Sequence, residues 1–444
     1  MVGRLSREFY QVRLLPQRPS VELLREQTGV CWRTHLWNGV NRLTILDHDR
    51  RLGLTMPGGV TEELDMKGKM SRRHLLGAIG CGAALGPYAS PRVLYGEGSG
   101  SPRKPPPVIH VTDLFRPHCD PDDHWDLACV FALAYAGEID LQGVLIDFAP
   151  QPQGDHNPDV MAVAQMNYVA GLHVPVAIGA SRPLRSRDDS QPEADESDRG
   201  GVRMVLEILH RSPAPVIIHI TGSCRDVAIA GKKAPQLFAE KCAGIYLNAG
   251  TGSPDVSKAA QLEYNVSLAP LSYAAIFDLP CPIYWMPCFE EMQSDRVVRE
   301  YGTHYLFRQG EILPHLSERM QNFFACVLGK KQDHRWLTYL TGPRDEPLLE
   351  TLGTQDRHMW CTGGFLHAAG KTVVADGSII ERDRAGDSGV FSFDPIRLSC
   401  SDKGVTQWQH DQAARDRYIF HVRKTAHYQG AMTQAMRTLL RRLP

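Results

Sequence analysis

The chain has 444 residues, enough to bury a large core either as one big α/β domain with appendages or as two or three domains. Its 49 Lys and Arg are balanced by 50 Asp and Glu. No global field therefore calls for nucleic acid or an anionic membrane as partner, and a small neutral or locally chelated ligand fits better. The 11 cysteines include no C-x-x-C pair and no zinc-ligand spacing, so most read as small buried hydrophobes. Cys281 and Cys288 are a candidate disulfide if the chain is exported.

Residues 1–69 are Arg-rich and lack a sustained apolar period, so they are expected to be poorly ordered, or to precede a true start at Met66 or Met70. Over 70–96 an Arg pair, in Ser71-Arg72-Arg73-His74-Leu75-Leu76, is followed by a short Gly- and Ala-rich apolar run and then small residues. This is the layout of a twin-arginine secretory signal, and the run is too short to span a bilayer. The mature protein is accordingly expected in the periplasm or outside the cell, free of the membrane. Residues 97–107, EGSGSPRKPPP, read as a linker, with one folded domain over 108–444.

Within that domain short apolar runs alternate with helical stretches. Strands are expected at 108–111, 141–148, 174–178, 215–220 and 244–248, with helices at 125–136, 159–170, 201–210 and from 225 onward. Residues 182–201 read as a polar surface loop. Strand and helix in alternation imply an open, mostly parallel, Rossmann-like sheet with helices on both faces.

The strongest local signal is VIHVTDLFRPHCDPDDHWDLACVFALA. There Asp113 closes a strand and Asp120, Asp122, Asp123 and Asp126 crowd the loop and helix start that follow. In parallel sheets ligands sit outside the carboxyl ends of strands, which aims these acids at the binding crevice. So many carboxylates in one small space call for a hard divalent cation, and calcium accepts irregular carboxylate geometry better than magnesium. The plainer reading is that one or two of them, Asp126 above all, serve the helix N-terminus.

A strand ending in Thr112-Asp113, a loop, then Asp120-Pro121-Asp122-Asp123 and an apolar helix resembles the opening motif of the inosine–uridine-preferring nucleoside hydrolases. Further stretches resemble the family in the same order. These are Pro175-Val176-Ala177-Ile178-Gly179-Ala180, the run from Ile218 to Ala228, Tyr246-Leu247-Asn248-Ala249-Gly250, Leu262-Glu263-Tyr264-Asn265-Val266 and Val374-Ala375-Asp376-Gly377. Together they cover roughly residues 108 to 440.

The resemblance implies the nucleoside hydrolase fold, a Ca2+ cofactor and a nucleoside or related N-riboside as substrate. Neither nucleic acid nor membrane is implied as a partner, and a homo-oligomer is compatible with it. By the same resemblance Asp113 would be both metal ligand and general base, Asp122 and Asp123 would hold the ion, and Asp122 would also meet the ribose hydroxyls. Thr221 would give its backbone carbonyl to the ion, Glu263 and Asn265 would bind ribose, and His358 would protonate the leaving base. The chemistry is coherent, because cleaving an N-glycosidic bond makes an oxocarbenium-like sugar that surrounding carboxylates stabilise.

Two departures bear on activity. The loop after Asp113 is longer than the family's, with 115–118 inserted. The family's late His-Asp pair falls at His358-Met359, where calcium would reject a thioether, so that either Asp356 or Asp120 replaces the missing ligand, or the metal binds weakly, or the site no longer turns over. Two readings follow: calcium-dependent hydrolysis of an N-ribosyl bond, or a catalytically inactive calcium- and sugar-binding relative. A magnesium phosphotransfer site is a weaker third, since no Gly-rich phosphate loop with a Lys follows a strand.

Overall fold

A computed structural model describes residues 104–148, 156–191, 196–291, 297–331 and 335–444, and the backbone of four short strands upstream. The chain falls into two compact units, residues 1–98 and 99–444. In the first unit Cys31–Trp37 pairs antiparallel with Val40–Leu46, and Leu54–Thr55 with Thr61–Glu62. The twin-arginine segment at 70–96 lies outside the described residues.

The second unit is built on a nine-stranded sheet. Its strands are β1 (Pro107–Thr112), β2 (Asp140–Ile146), β3 (Val176–Ile178), β4 (Val216–Ile220), β5 (Cys242–Asn248) and β6 (Ile283–Met286). A separate antiparallel pair, β7 (Tyr305–Arg308) and β8 (Asp356–Met359), follows, before β9 (Phe391–Cys400), β10 (Thr406–His410) and β11 (Arg417–Val422) complete the sheet. The sheet order is β10-β9-β11-β6-β5-β4-β1-β2-β3. The seven strands from β11 to β3 run parallel, and β9 and β10 add an antiparallel edge.

Alternation along each strand gives the sheet two cores. Val108, Val144 and Ile146 face one apolar cluster, while Ile109, Val111, Leu145, Ile218 and Ile220 face another. The first is covered by α1 (Asp122–Tyr135) and α2 (Val160–Ala170), the second by α3 (Gly200–Arg211) and α4 (Arg225–Lys233). Helix α1 is buried almost all round, from Asp122 to Leu133, which is why its sequence shows so little amphipathic period. The short α5 (Tyr264–Leu268) and, on the side of the first cluster, α6 (Thr362–Ala368) and α7 (Thr425–Leu440) complete the elements needed here.

The chain runs outward from β1 through β2 to β3, then returns to the other side of β1 to lay down β4, β5 and β6. The order reverses between β1 and β4. A crevice must open there at the carboxyl ends, because the following connections leave in opposite directions. Asp113 follows the last residue of β1 and Thr221 that of β4, so both flank the crevice.

The candidate disulfide is not formed: Cys281 and Cys288 are free, like the other described cysteines. They lie before and after β6, and an extended chain of that length holds them about 20 Å apart, far beyond disulfide reach.

Candidate active site

A pocket of about 130 Å³ lies at the switch point. Asp113, Asp120, Asp122, Asp123 and Glu263 line it, with Thr221, Asn248, Asn265 and Tyr264; Cys288, Phe289 and Trp360 close one side. The sequence-selected residues Asp113, Asp122, Asp123, Thr221, Glu263 and Asn265 are thus brought together from β1, α1, β4 and α5, across more than 150 positions of sequence. All six are buried.

The acids arrive by different routes. Asp122 and Asp123 are the first residues of α1, placed in its first turn where the helix dipole favours negative charge. Neither caps the helix through its side chain. The Thr112 hydroxyl donates to Asp123 Oδ1 at 3.3 Å, tying the strand end to the helix start. The inserted loop between them is pinned at a buried hub, Asp159. One of its oxygens takes Arg116 Nε at 2.8 Å and the other lies 3.0 Å from His124 Nε2. Asp159 also accepts from the Ala162 amide and so caps α2. The longer loop is a braced structure that delivers Asp120 to the pocket.

Glu263 caps α5: Oε1 accepts from the Asn265 amide at 2.8 Å and Oε2 from the Gly250 amide at 2.9 Å. Gly250, at φ +89, makes the turn leaving β5. The Asn265 side-chain amide donates to the carbonyls of Thr221 (3.3 Å) and Asn248 (3.2 Å), lacing together the ends of β4 and β5.

Burial is the main cause that pushes these carboxyls up. Asp113 rises to about 7, against the lowering effect of its hydrogen bond with Asp123. Asp122 and Asp123 are held well above the carboxylate range by burial and then by neighbouring acids. Buried oxygens that repel one another, in a pocket with no described Lys or Arg in its lining and with Arg357 near enough to interact with Asp120 and Asp122, fit a hard divalent cation. Among the described residues, however, no group of three or more His, Cys, Asp or Glu side chains already has the arrangement of a metal site. Asp113 and Asp123 are instead hydrogen-bonded to each other.

His358, on β8, is not among the pocket residues; its Nδ1 is 2.9 Å from His304 Nε2, and its ring lies 6.2 Å from that of the pocket residue Trp360. Met359 points the other way, fully buried in the first apolar cluster. Strand alternation thus removes Met359 from the pocket altogether. Of the two substitutes, Asp356 is at the surface in an ion pair with Arg308 (3.1 Å), whereas Asp120 lines the pocket.

Sequence reasoning missed Asn248, Cys288 and Phe289. Asn248 is the last residue of an anticipated strand, and the strand-end rule that selected Asp113 points to it equally. Its Nδ2 donates to the Met286 carbonyl at 2.9 Å, and its Oδ1 accepts from the thiols of Cys288 and Cys361. Cys288 and Phe289 follow β6 on a segment with no distinctive motif.

Asp126 is fully buried one turn into α1, outside the pocket, with its carboxyl raised to about 8 chiefly by burial. A carboxyl with a folded pKa above its unfolded value stabilises the fold when protonated, and that stability is lost as pH rises from about 4 towards 8. Asp126→Asn, which carries no charge at any pH, should therefore gain in melting temperature relative to wild type as pH rises from about 5 to about 8, by the equivalent of about 1 kcal/mol per pH unit. Thermal melts of both proteins across that range check it.

Such a site, acids at the carboxyl ends of a doubly wound parallel sheet, is a binding crevice suited to a cation or to developing positive charge. The sequence pattern described as "Inosine-uridine preferring nucleoside hydrolase" matches residues 118–375, more than half of the chain. The chain belongs to that family. Similar solved structures include an inosine-uridine preferring nucleoside hydrolase from Bacillus anthracis, at 12% identity over 76% of this chain and 100% of that one, with a TM-score of 0.40. A purine-preferring ribonucleoside hydrolase from Gardnerella vaginalis has 16% identity over 76% and 99%, with a TM-score of 0.40. A plant nucleoside hydrolase has 13% identity over 74% and 99%, with a TM-score of 0.44. No curated protein matches the sequence.

Proposed function

We propose that this protein is a calcium-dependent hydrolase of the N-glycosidic bond of a ribonucleoside or related N-riboside. The observation that carries the reading is the convergence of Asp113, Asp120, Asp122, Asp123 and Glu263 on one pocket at the switch point. Asp113, Asp122, Asp123 and the Thr221 carbonyl would hold the ion, with Asp120 in place of the carboxylate that Met359 does not provide.

A calcium ion held there would supply positive charge that orients and acidifies a water molecule. Asp113 takes the proton of the attacking water; a buried carboxyl near the operating pH suits that task. Asp122 accepts hydrogen bonds from the ribose hydroxyls. Glu263 and Asn265 are fixed by their contacts with Gly250, Thr221 and Asn248, so they meet the sugar without reorganising. As an oxocarbenium-like sugar develops, the carboxylates around it stabilise its charge. Tyr264, half exposed at the rim, and Trp360 offer ring surface to the base. His358, outside the pocket with its ring 6.2 Å from that of Trp360, would donate the proton to a base that extends past Trp360. Single displacement by water inverts the anomeric centre.

Calcium binding must displace protons from carboxyls that burial has raised, so affinity rises with pH. Calorimetric titration at pH 7 in two buffers of different ionisation heat should give saturable binding with proton release. No heat and no rise in melting temperature at millimolar calcium would remove the metal from the account, and with it both the calcium-dependent hydrolase and the calcium-binding inactive relative.

Export through the Arg72-Arg73 signal is part of the same proposal, supported by the sequence of 70–96. Among the described residues no helix is long and apolar enough to cross a membrane. Replacing Arg72 and Arg73 together by Lys should retain the protein in the cytoplasm on fractionation, because a guanidinium pair is read where an ammonium pair is not. Unchanged export of the double variant would overturn the assignment.

A further inference from the structure

At the opposite, amino-terminal edge of the sheet lies a larger cavity, about 510 Å³, between the starts of the central strands and the end of α6. This is in the size range of pockets that enclose metabolites. One wall is the proline run before β1 with small residues of neighbouring segments, an apolar surface that costs little to order. The rest of the lining carries the cations Arg382, Lys104 and Lys371, the acids Glu138 and Glu381, and His367 and Tyr284.

The charges there are unevenly matched. Lys371 is engaged by Glu138, at 3.5 Å, and by Glu381. Among the described residues neither Arg382 nor Lys104 makes an ion pair with a carboxylate. Arg382 is instead fixed by neutral acceptors: its NH1 lies 2.7 Å from His367 Nε2 and donates to the His367 carbonyl at 3.3 Å. The His367 ring is held in turn by the Tyr246 hydroxyl at 2.8 Å. Burial, and then Arg382 itself, push the His367 imidazole well below its usual range, so it stays neutral and leaves the guanidinium charge uncompensated. A guanidinium has five donors in a planar fork suited to the oxygens of phosphate or carboxylate.

We propose that this cavity binds a small organic anion, its phosphate or carboxylate oxygens on Arg382 and Lys104 and its apolar body against the proline wall. The site is separate from the acidic pocket and does not depend on the hydrolase reading. Its cations stand at the far end of the strands from Asp113, and the two carboxylates that line it, Glu138 and Glu381, are both held by Lys371.

Phenyl phosphate, benzoate and inorganic phosphate serve as probes, with EDTA present so that residual metal in the acidic pocket recruits none of them. Calorimetry and thermal melts of the full chain should show phenyl phosphate binding at least tenfold more tightly than inorganic phosphate. Binding should be lost in Arg382→Gln, weakened several-fold in Lys104→Ser, and retained in Asp123→Ala. Lys104 is exposed, so its variant reports even if Arg382→Gln does not fold. Absence of binding by any probe, or equal binding in wild type and in a folded cavity variant, would overturn the proposal. So would binding lost in Asp123→Ala alone, which would place the anion in the acidic pocket.

Discussion

Asp113→Asn is expected to lower nucleoside cleavage by about 10³-fold while leaving calcium affinity within about tenfold of wild type. The amide keeps the shape of the side chain and one oxygen donor but cannot take a proton from water. Asp123→Ala should behave differently. Asp123 begins α1 and is tied to both Asp113 and Thr112, so its loss removes a ligand and loosens the strand–helix junction. The calcium-dependent rise in melting temperature should disappear together with activity. Steady-state kinetics and calcium-dependent melts on the two variants check the distinction. Equal loss of metal affinity in both would make Asp113 a ligand only, and near-wild-type turnover in Asp113→Asn would remove it as the base.

The second large effect is on stability. Met359→Asp, which restores the residue type the resemblance expects beside His358, should not create a ligand but should unfold the protein or destabilise it by about 4 kcal/mol or more. Met359 is fully buried in the first apolar cluster, while its neighbour His358 is only partly buried, against His304. Met359→Leu, which conserves volume, should cost under about 1.5 kcal/mol. Denaturant melts of the two variants separate the cases; a well-folded Met359→Asp protein with tighter calcium binding would show that this strand presents Met359 to the pocket.

These two residues also mark what was legible in the sequence. Asp113 was readable because a strand end followed by a cluster of acids has a direct physical meaning, and the sheet places it at the crevice. The strands and helices of the parallel sheet were readable from their apolar periods: expected and observed limits of the first helix, for instance, differ by three residues at its start, since Asp122 and Asp123 lie inside the helix and do not precede it. Met359 was not readable, since a one-residue shift of strand phase moves a side chain from pocket to core, and no local pattern fixes that phase. Asp120 could be named only as one of two candidates. What decides between it and Asp356 is the brace of Arg116, His124 and Asp159, formed between residues some 35 to 43 positions apart. The antiparallel edge of β9 and β10, and the cavity beneath the sheet, depend on chain that carries no motif at all.

The most direct test of the central claim is release of free ribose by the protein from a panel of purine and pyrimidine ribonucleosides, measured with calcium and again with excess EDTA. The account predicts calcium-dependent release from at least one member of the panel, abolished by EDTA, restored by added calcium and absent in Asp113→Asn. Saturable calcium binding without release of ribose from any N-riboside, or release indifferent to both EDTA and Asp113→Asn, would contradict it.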